Sequence, residues 1–295
     1  MSEIERVLTA KEKKKKKKSS SSILIKKIKN YFRLKFPRLH KIKLELKKDQ
    51  TFSGWGMNTY GTCSPWSNQN KIDNQIFSKS HNELVHAIKE NKFKLTQFYY
   101  EDVNYKKILE ELRWRHYTVF NTILYVINFL QEEELTIVEC GVCDGLTVHF
   151  AMKAAEYKRK KYTSYLYDTW AELESSEEDL RFKYSYLDIE TTKYNLQNFS
   201  KNTIYNKGHI PDVFDNSKNP EKINWLHIDL NSNNATSKTL EFFYNKISHN
   251  GVILFDDYGG FDETRKIIDN FFENKNGHFV SFPTGQGIFY KNNKD

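Results

Sequence analysis

Five acidic residues stand where short apolar segments end, and each is placed to handle charge on a ligand. Glu139 closes the β-branched run Thr136, Ile137, Val138, and the glycine-punctuated turn Gly141-Val142-Cys143-Asp144-Gly145 follows it. Asp168 ends the aromatic run over 162–167, Asp229 ends INWLHI over 223–228, and Asp256 and Asp257 end the run over 252–255, ahead of Tyr258 and Gly259. A strand, a tight glycine turn and a helix build a nucleotide-type ligand site: glycine lets the backbone approach, and the helix N-terminus offers free N–H groups. The pattern E-x-G-x-x-x-G differs from a pyrophosphate loop in placing a carboxylate beside a wider turn. It suits a ligand carrying positive charge, such as the amino group and sulfonium of S-adenosylmethionine. An acid at the end of the second strand is where ribose hydroxyls are accepted.

Asp229, Asp256 and Asp257 meet at the carboxyl edge of a parallel sheet, where ligands of such sheets bind. Unpaired, they repel one another and raise each other's pKa. A hard divalent cation relieves that cost, and oxygen-only ligation favours Mg²⁺, Mn²⁺ or Ca²⁺ over zinc. The other relief is local: one Asp caps a helix and another pairs with Lys or Arg.

The elements that must carry these residues are legible as alternating strands and helices. Helices are expected over 80–91 and 103–131, strands at 136–138, 162–167, 202–206, 223–228 and 252–255, and helices over 146 onward, 174–200 and 236–247. The last strands lie in 277–291, with Thr284-Gly285-Gln286-Gly287 as a hairpin turn rather than a phosphate loop. Cys140 and Cys143 have C-x-x-C spacing but no second pair, so they read as small loop residues; Cys63 stands alone.

The net charge of +8 is unevenly spread. Residues 1–48 carry 18 Lys and Arg against four acids, so the remainder is net acidic, and nucleic-acid binding by the core is not expected. Residues 1–22 form a Lys/Ser-rich tail expected to be disordered. Residues 23–36 place Ile25, Ile28, Phe32 and Phe36 on one helical face, which fits either an anionic membrane surface or packing on protein. Residues 50–70 read as a loop bearing Trp55, Tyr60 and Trp66, a lid or an ordered connector. The expected division is a tail over 1–22, an extension over 23–100 and a catalytic domain over 101–295. No run approaches the length of a membrane span, no signal peptide is legible, and a reducing cytoplasm is expected, with peripheral membrane contact through residues 13–36.

Five segments together resemble the macrocin O-methyltransferase family, sugar O-methyltransferases that use S-adenosylmethionine and Mg²⁺. They are Glu139 to Gly145, Tyr167-Asp168-Thr169-Trp170, Lys207-Gly208-His209-Ile210-Pro211-Asp212, the segment from His227 to Thr236, and Gly251 to Gly259. The likeness covers about residues 110–290. It implies an α/β, Rossmann-like class I methyltransferase fold: a mostly parallel seven-stranded sheet with helices on both faces, preceded by the basic extension. It implies Glu139, Gly141, Gly145, Asp168, Gly208 and His209 as cofactor contacts and Asp229, Asp256 and Asp257 as ligands of Mg²⁺ or another hard cation. Asn231 and Asn233 stand where the family has an acid and a tyrosine. Asp229 is then catalytic, and His227, His209 and His149 are candidate bases by their nearness to the site loops. The implied reaction is O-methylation of a sugar hydroxyl on a glycan or small molecule; a catechol-like or peptide hydroxyl, or a non-catalytic tethering module, are the alternatives. A homo-oligomer is compatible with all three.

Overall fold

The computed structural model describes residues 72–95, 109, 112–129, 132–170, 187–282 and 284–292. All fall within one compact unit, Asn58–Asp295. The expected tail, amphipathic helix and aromatic loop lie outside the described residues.

Among the described residues, α1 (Ile72–Lys89) and α2 (Arg113–Phe129) precede the sheet. Then come β1 (Glu134–Cys140), α3 (Leu146–Tyr157), β2 (Lys161–Asp168), α4 (Ile189–Asn195) with a 3₁₀ turn, and β3 (Thr203–Lys207). A one-turn helix α5 (Asp212–Asp215), β4 (Ile223–Ile228), α6 (Asn233–Phe243), β5 (Ile247–Phe255), α7 (Asp262–Phe272), β6 (Gly277–Ser281) and β7 (Gly287–Lys291) complete the chain. The seven strands form one sheet in the order β3-β2-β1-β4-β5-β7-β6. The four pairings from β3 to β5 are parallel, and β7 runs antiparallel between β5 and β6. Reversal of strand order beside β1 opens a crevice at the carboxyl edge, next to the glycine turn.

Covered sheets need strands that are apolar on both faces, and β4 is buried at all six positions. Period-two alternation then sorts residues between the layers. Leu135, Ile137, Leu166, Trp225 and Leu254 face the layer of α1, α2 and α3, whereas Val138, Cys140, Leu226, Ile228 and Phe255 face the opposite core. By the same parity Glu139 and His227 fall on the α1–α3 side, and the register sets them directly opposite each other across β1 and β4. Trp225 donates its indole N–H to Thr122 Oγ1 of α2 at 2.9 Å, fixing that helix under the sheet.

Helix α1 packs into this core. Phe77 is fully buried and meets the rings of Tyr117, Phe120 and Phe150 at 5.2, 5.7 and 5.5 Å. Sequence periodicity alone places helix 80–91 eight residues late, because its first turns are polar except at the face that packs. Truncating Phe77 to Ala is expected to cost about 3–5 kcal/mol of unfolding free energy in urea denaturation, the range for a buried phenylalanine. A cost near zero would show that α1 is dispensable to the domain.

Candidate active site

The glycine turn after β1 is held from below and from the side. Gly141 donates its N–H to the Tyr167 carbonyl at 2.9 Å and adopts φ +87°. A Cβ there would lie 1.7 Å from the carbonyl oxygen of Asp229, so only glycine lets β1's turn approach the end of β4 this closely. Asp168 Oδ2 accepts the backbone N–H of Val142 at 2.7 Å and of Cys143 at 2.8 Å, and Oδ1 accepts that of Trp170 at 2.9 Å. The buried Trp170 indole and Thr192 hydroxyl both donate to the Cys143 carbonyl, at 3.2 and 2.6 Å. Asn195 donates to the Asp144 carbonyl at 2.9 Å. Gly145 opens α3 in the left-handed region, φ +82°, its Cα facing Leu196.

Asp168 is therefore a clamp on the turn. The sequence pattern expects it to accept two hydrogen bonds from ribose hydroxyls; in the fold both of its oxygens accept N–H groups of the chain. Cys140 and Cys143 are free thiols that burial pushes well above the ordinary value, which removes thiolate chemistry from the turn.

Under the turn, Glu139 and His227 are fully buried and share one hydrogen bond, Nδ1 to Oε1 at 2.7 Å. Burial pushes the Glu139 carboxyl up against the pull of His227. Burial drives the His227 ring down, but its bond to Glu139 and the negative charges of Glu139, Asp256 and Asp229 outweigh it, and the net shift is upward. Glu139 Oε2 and His227 Nε2 are buried without a hydrogen-bond partner. A ring locked between strands and paired with a carboxylate orients that carboxylate; it is not placed as a base for an acceptor. His149 is also removed from that role. It sits on α3 among the rings of Phe93, Phe150 and Phe199, and burial lowers it to about 3. His209 lies half-buried in the turn after β3, on the same edge, where its carbonyl accepts the Val213 N–H at 2.7 Å. Gly208 donates to the Asp168 carbonyl at 3.0 Å, which ties that turn to β2.

At the ends of β4 and β5 the carboxylates gather. Burial and the neighbouring Asp256 push the Asp229 carboxyl well above the usual range, with Asp257 adding and His227 and Arg115 opposing. Arg115, from the first turn of α2, pairs with the Asp256 carboxylate, reaches Asp257 Oδ1 at 3.7 Å and donates to the Asp256 carbonyl at 3.1 Å. Gln286, fully buried in the β6–β7 hairpin, donates its amide to Asp256 Oδ1 at 3.2 Å. The hairpin is fixed there because Gly259 donates to the Gly285 carbonyl at 2.8 Å.

For a hard divalent ion the donor chemistry is right but the placement does not fit. Both oxygens of Asp256 are taken by Arg115 and Gln286, and among the described residues no three His, Cys, Asp or Glu side chains are grouped to hold a metal. For S-adenosylmethionine the residues do fit: an unpartnered buried Glu139 oxygen suits an ammonium, beside a glycine turn that opens a helix. Reading the sequence missed Arg115, Gln286, Thr192 and Asn195. Arg115 lies 141 residues from its partner, and nothing local announces that contact.

A covered, mostly parallel seven-stranded sheet with an acid-bearing glycine turn at its switch point is the build of a class I methyltransferase. Residues 138–258 match the model of a family described as a methyltransferase domain. Among solved structures, the O-methyltransferase NovP is 18% identical over 60% of this chain and 79% of its own, with a TM-score of 0.52. The calicheamicin methyltransferase CalS11 is 10% identical over 81% of this chain and 99% of its own, at 0.46. The Podospora anserina methyltransferase PaMTH1, solved with S-adenosylhomocysteine, is 10% identical over 82% and 99%, at 0.45. No curated protein matches the sequence. The fold is thus that of the class I methyltransferases, and its residues 138–258 match a methyltransferase domain. Among the described residues no helix is long and apolar enough to cross a membrane.

Two of the buried imidazoles, His116 and His149, weaken the fold in acid, whereas His227, whose pKa is raised, works in the opposite direction. His116, stacked on Phe150 at 4.5 Å, is driven well below its ordinary value by burial, and His149 to about 3. The unfolded chain binds protons at these positions from about pH 6.5 downward while the folded chain does not, so stability is full above that pH and falls below it. Each site contributes a slope of up to about 1.4 kcal/mol per pH unit. Urea denaturation between pH 7.5 and 5 is expected to show the His149 share as a difference, the stability of wild type falling more steeply with acid than that of His149→Asn by up to one proton.

Proposed function

We propose that this chain is an O-methyltransferase that places the methyl group of S-adenosylmethionine on a hydroxyl of a sugar-bearing acceptor. The observation that carries the reading is the contact of Gly141 with the Asp229 carbonyl, which puts an acid with a raised pKa directly beside the cofactor turn. The resemblance of five segments to sugar O-methyltransferases supports the acceptor class, and the similar fold of NovP, an O-methyltransferase by name, is consistent with it.

Bound S-adenosylmethionine supplies an activated methyl on a sulfonium and leaves as S-adenosylhomocysteine. The chain's residues do the rest. Glu139, oriented by His227 and buried beneath the turn, sets its negative charge behind the ammonium of the methionine part. Asp168, Trp170, Thr192 and Asn195 keep the turn rigid, so that the cofactor meets a preformed surface. Gly208 and His209 line the same edge next to Asp168 and are the adenine-side residues. Asp229 takes the proton of the acceptor hydroxyl as its oxygen bonds to the methyl; burial and the neighbouring carboxylates keep it basic enough for that transfer. Arg115 and Gln286 hold Asp256 so that the edge does not spread by charge repulsion.

Substitution of Asp229 by Asn is the test. General-base loss costs about 10²–10⁴-fold in kcat, whereas the Kd for S-adenosylmethionine, measured by calorimetry, is expected to stay within a few-fold. S-adenosylhomocysteine release is followed against a panel of nucleotide sugars, glycosides and catechols. Release with catechols alone would overturn the acceptor class, and unaltered turnover in the variant would remove Asp229 from the mechanism.

A further inference from the structure

The sequence pattern assigns a divalent ion to the edge formed by Asp229, Asp256 and Asp257; the fold puts a guanidinium there. We propose that Arg115 is the built-in counter-cation of this edge, and that its guanidinium and a divalent metal ion are mutually exclusive occupants of Asp256 and Asp257. The inference rests on the proposed reading only for calling the edge the acceptor side of the site.

Three observations carry it. Arg115 pairs with Asp256 and lies 3.7 Å from Asp257, so it bridges the two carboxylates that a metal would bridge. It also donates to the Asp256 carbonyl at 3.1 Å, which fixes the guanidinium against backbone as well as side chain. Gln286 is fully buried with its amide nitrogen on Asp256 Oδ1 and its Oε1 without a partner. Together these fill both oxygens of Asp256, one with a full positive charge and one with a neutral donor.

The chemistry makes the competition strict. Guanidinium is planar and weakly hydrated, and its fork of N–H donors matches a carboxylate. A hard cation needs the same oxygens at a short distance and in larger number. Arg115 can yield only by swinging off α2's first turn, where its stem is two-thirds covered: its side chain is 30% exposed. An apolar side chain of similar length removes the competitor and leaves the carboxylates facing one another, which raises their demand for a cation.

Mn²⁺ binding to the full-length chain, followed by the electron paramagnetic resonance of free Mn²⁺, tests this without reference to turnover. Wild type is expected to bind no Mn²⁺ below the millimolar range. Arg115→Met is expected to bind at least about tenfold more tightly than wild type, Arg115→Lys to fall back toward wild type, and the added change Asp256→Asn to abolish the gain. Equal or weaker binding by Arg115→Met overturns the proposal. So does micromolar binding by wild type alone, which decides the matter even where the Met variant fails to melt cooperatively. Calorimetric S-adenosylmethionine binding on the same samples separates this outcome from failure of the methyltransferase reading: loss of cofactor binding in wild type speaks against the latter only.

Discussion

The site depends on one close approach. Gly141 brings the turn after β1 against the last carbonyl of β4, at a distance that no side chain permits. The hydrogen bond from Asp229 N–H to the Cys140 carbonyl, 2.9 Å, continues the sheet one step past both strands. Asp256 repeats the step on the other side, donating its N–H to the Ile228 carbonyl at 3.1 Å. The carboxyl edge is thus an extension of the ladder, with the position of each acid set by backbone geometry rather than by a mobile loop. A cofactor turn and an acid edge locked to each other in this way need no lid motion to come into register, which is the condition for an in-line transfer between two bound molecules.

That ladder has an electrostatic cost, met by burial of opposite charges and by shared protons. Glu139 and His227 face each other in the middle of the sheet, where an unpaired carboxylate would cost several kcal/mol. Their bond satisfies one atom of each and leaves one atom of each without a partner. At the rim, Asp229 answers the same problem through a raised pKa, and Asp256 answers it through Arg115 and Gln286. Three acids, one inside the sheet and two at its rim, thereby reach a stable arrangement by three different devices. The helix that supplies Arg115 is also the one pinned under β4 by Trp225 and Thr122, so the counter-charge is anchored to the sheet it neutralises.

The order of strands and the acids at their ends were legible because both are local. A β-branched run, a glycine turn and an acid occupy adjacent positions, and the observed strands extend the expected ones by only a few residues at most, β5 excepted, which starts five residues earlier at Ile247. What could not be read depends on parity and distance. His227 is two residues from Asp229, which suggested a base; the register places it opposite Glu139, which makes it a partner of the carboxylate. Asp168 was rightly located at a strand end, but its use there depends on where the N–H groups of Val142 and Cys143 point. Arg115 stands in a helix whose pattern reads as packing, and its function appears only when α2 is laid across the sheet. The local alternative to a metal, an aspartate paired with arginine, was legible as a type of solution; its partner was not.

The engagement of Asp168 bears on how the cofactor's ribose is met. A carboxylate offers about four lone-pair directions. Val142, Cys143 and Trp170 take three of them, with the Thr169 hydroxyl at a loose 3.5 Å on Oδ1. With the turn closed, Oδ1 has room for one further strong donor, so a two-hydroxyl grip by this residue requires the turn to release a backbone N–H. Release would expose a buried amide and loosen the approach of Gly141 to Asp229. In this domain the acid at the end of β2 shapes the glycine turn, and Gly208 ties the turn after β3 to the same residue through its backbone.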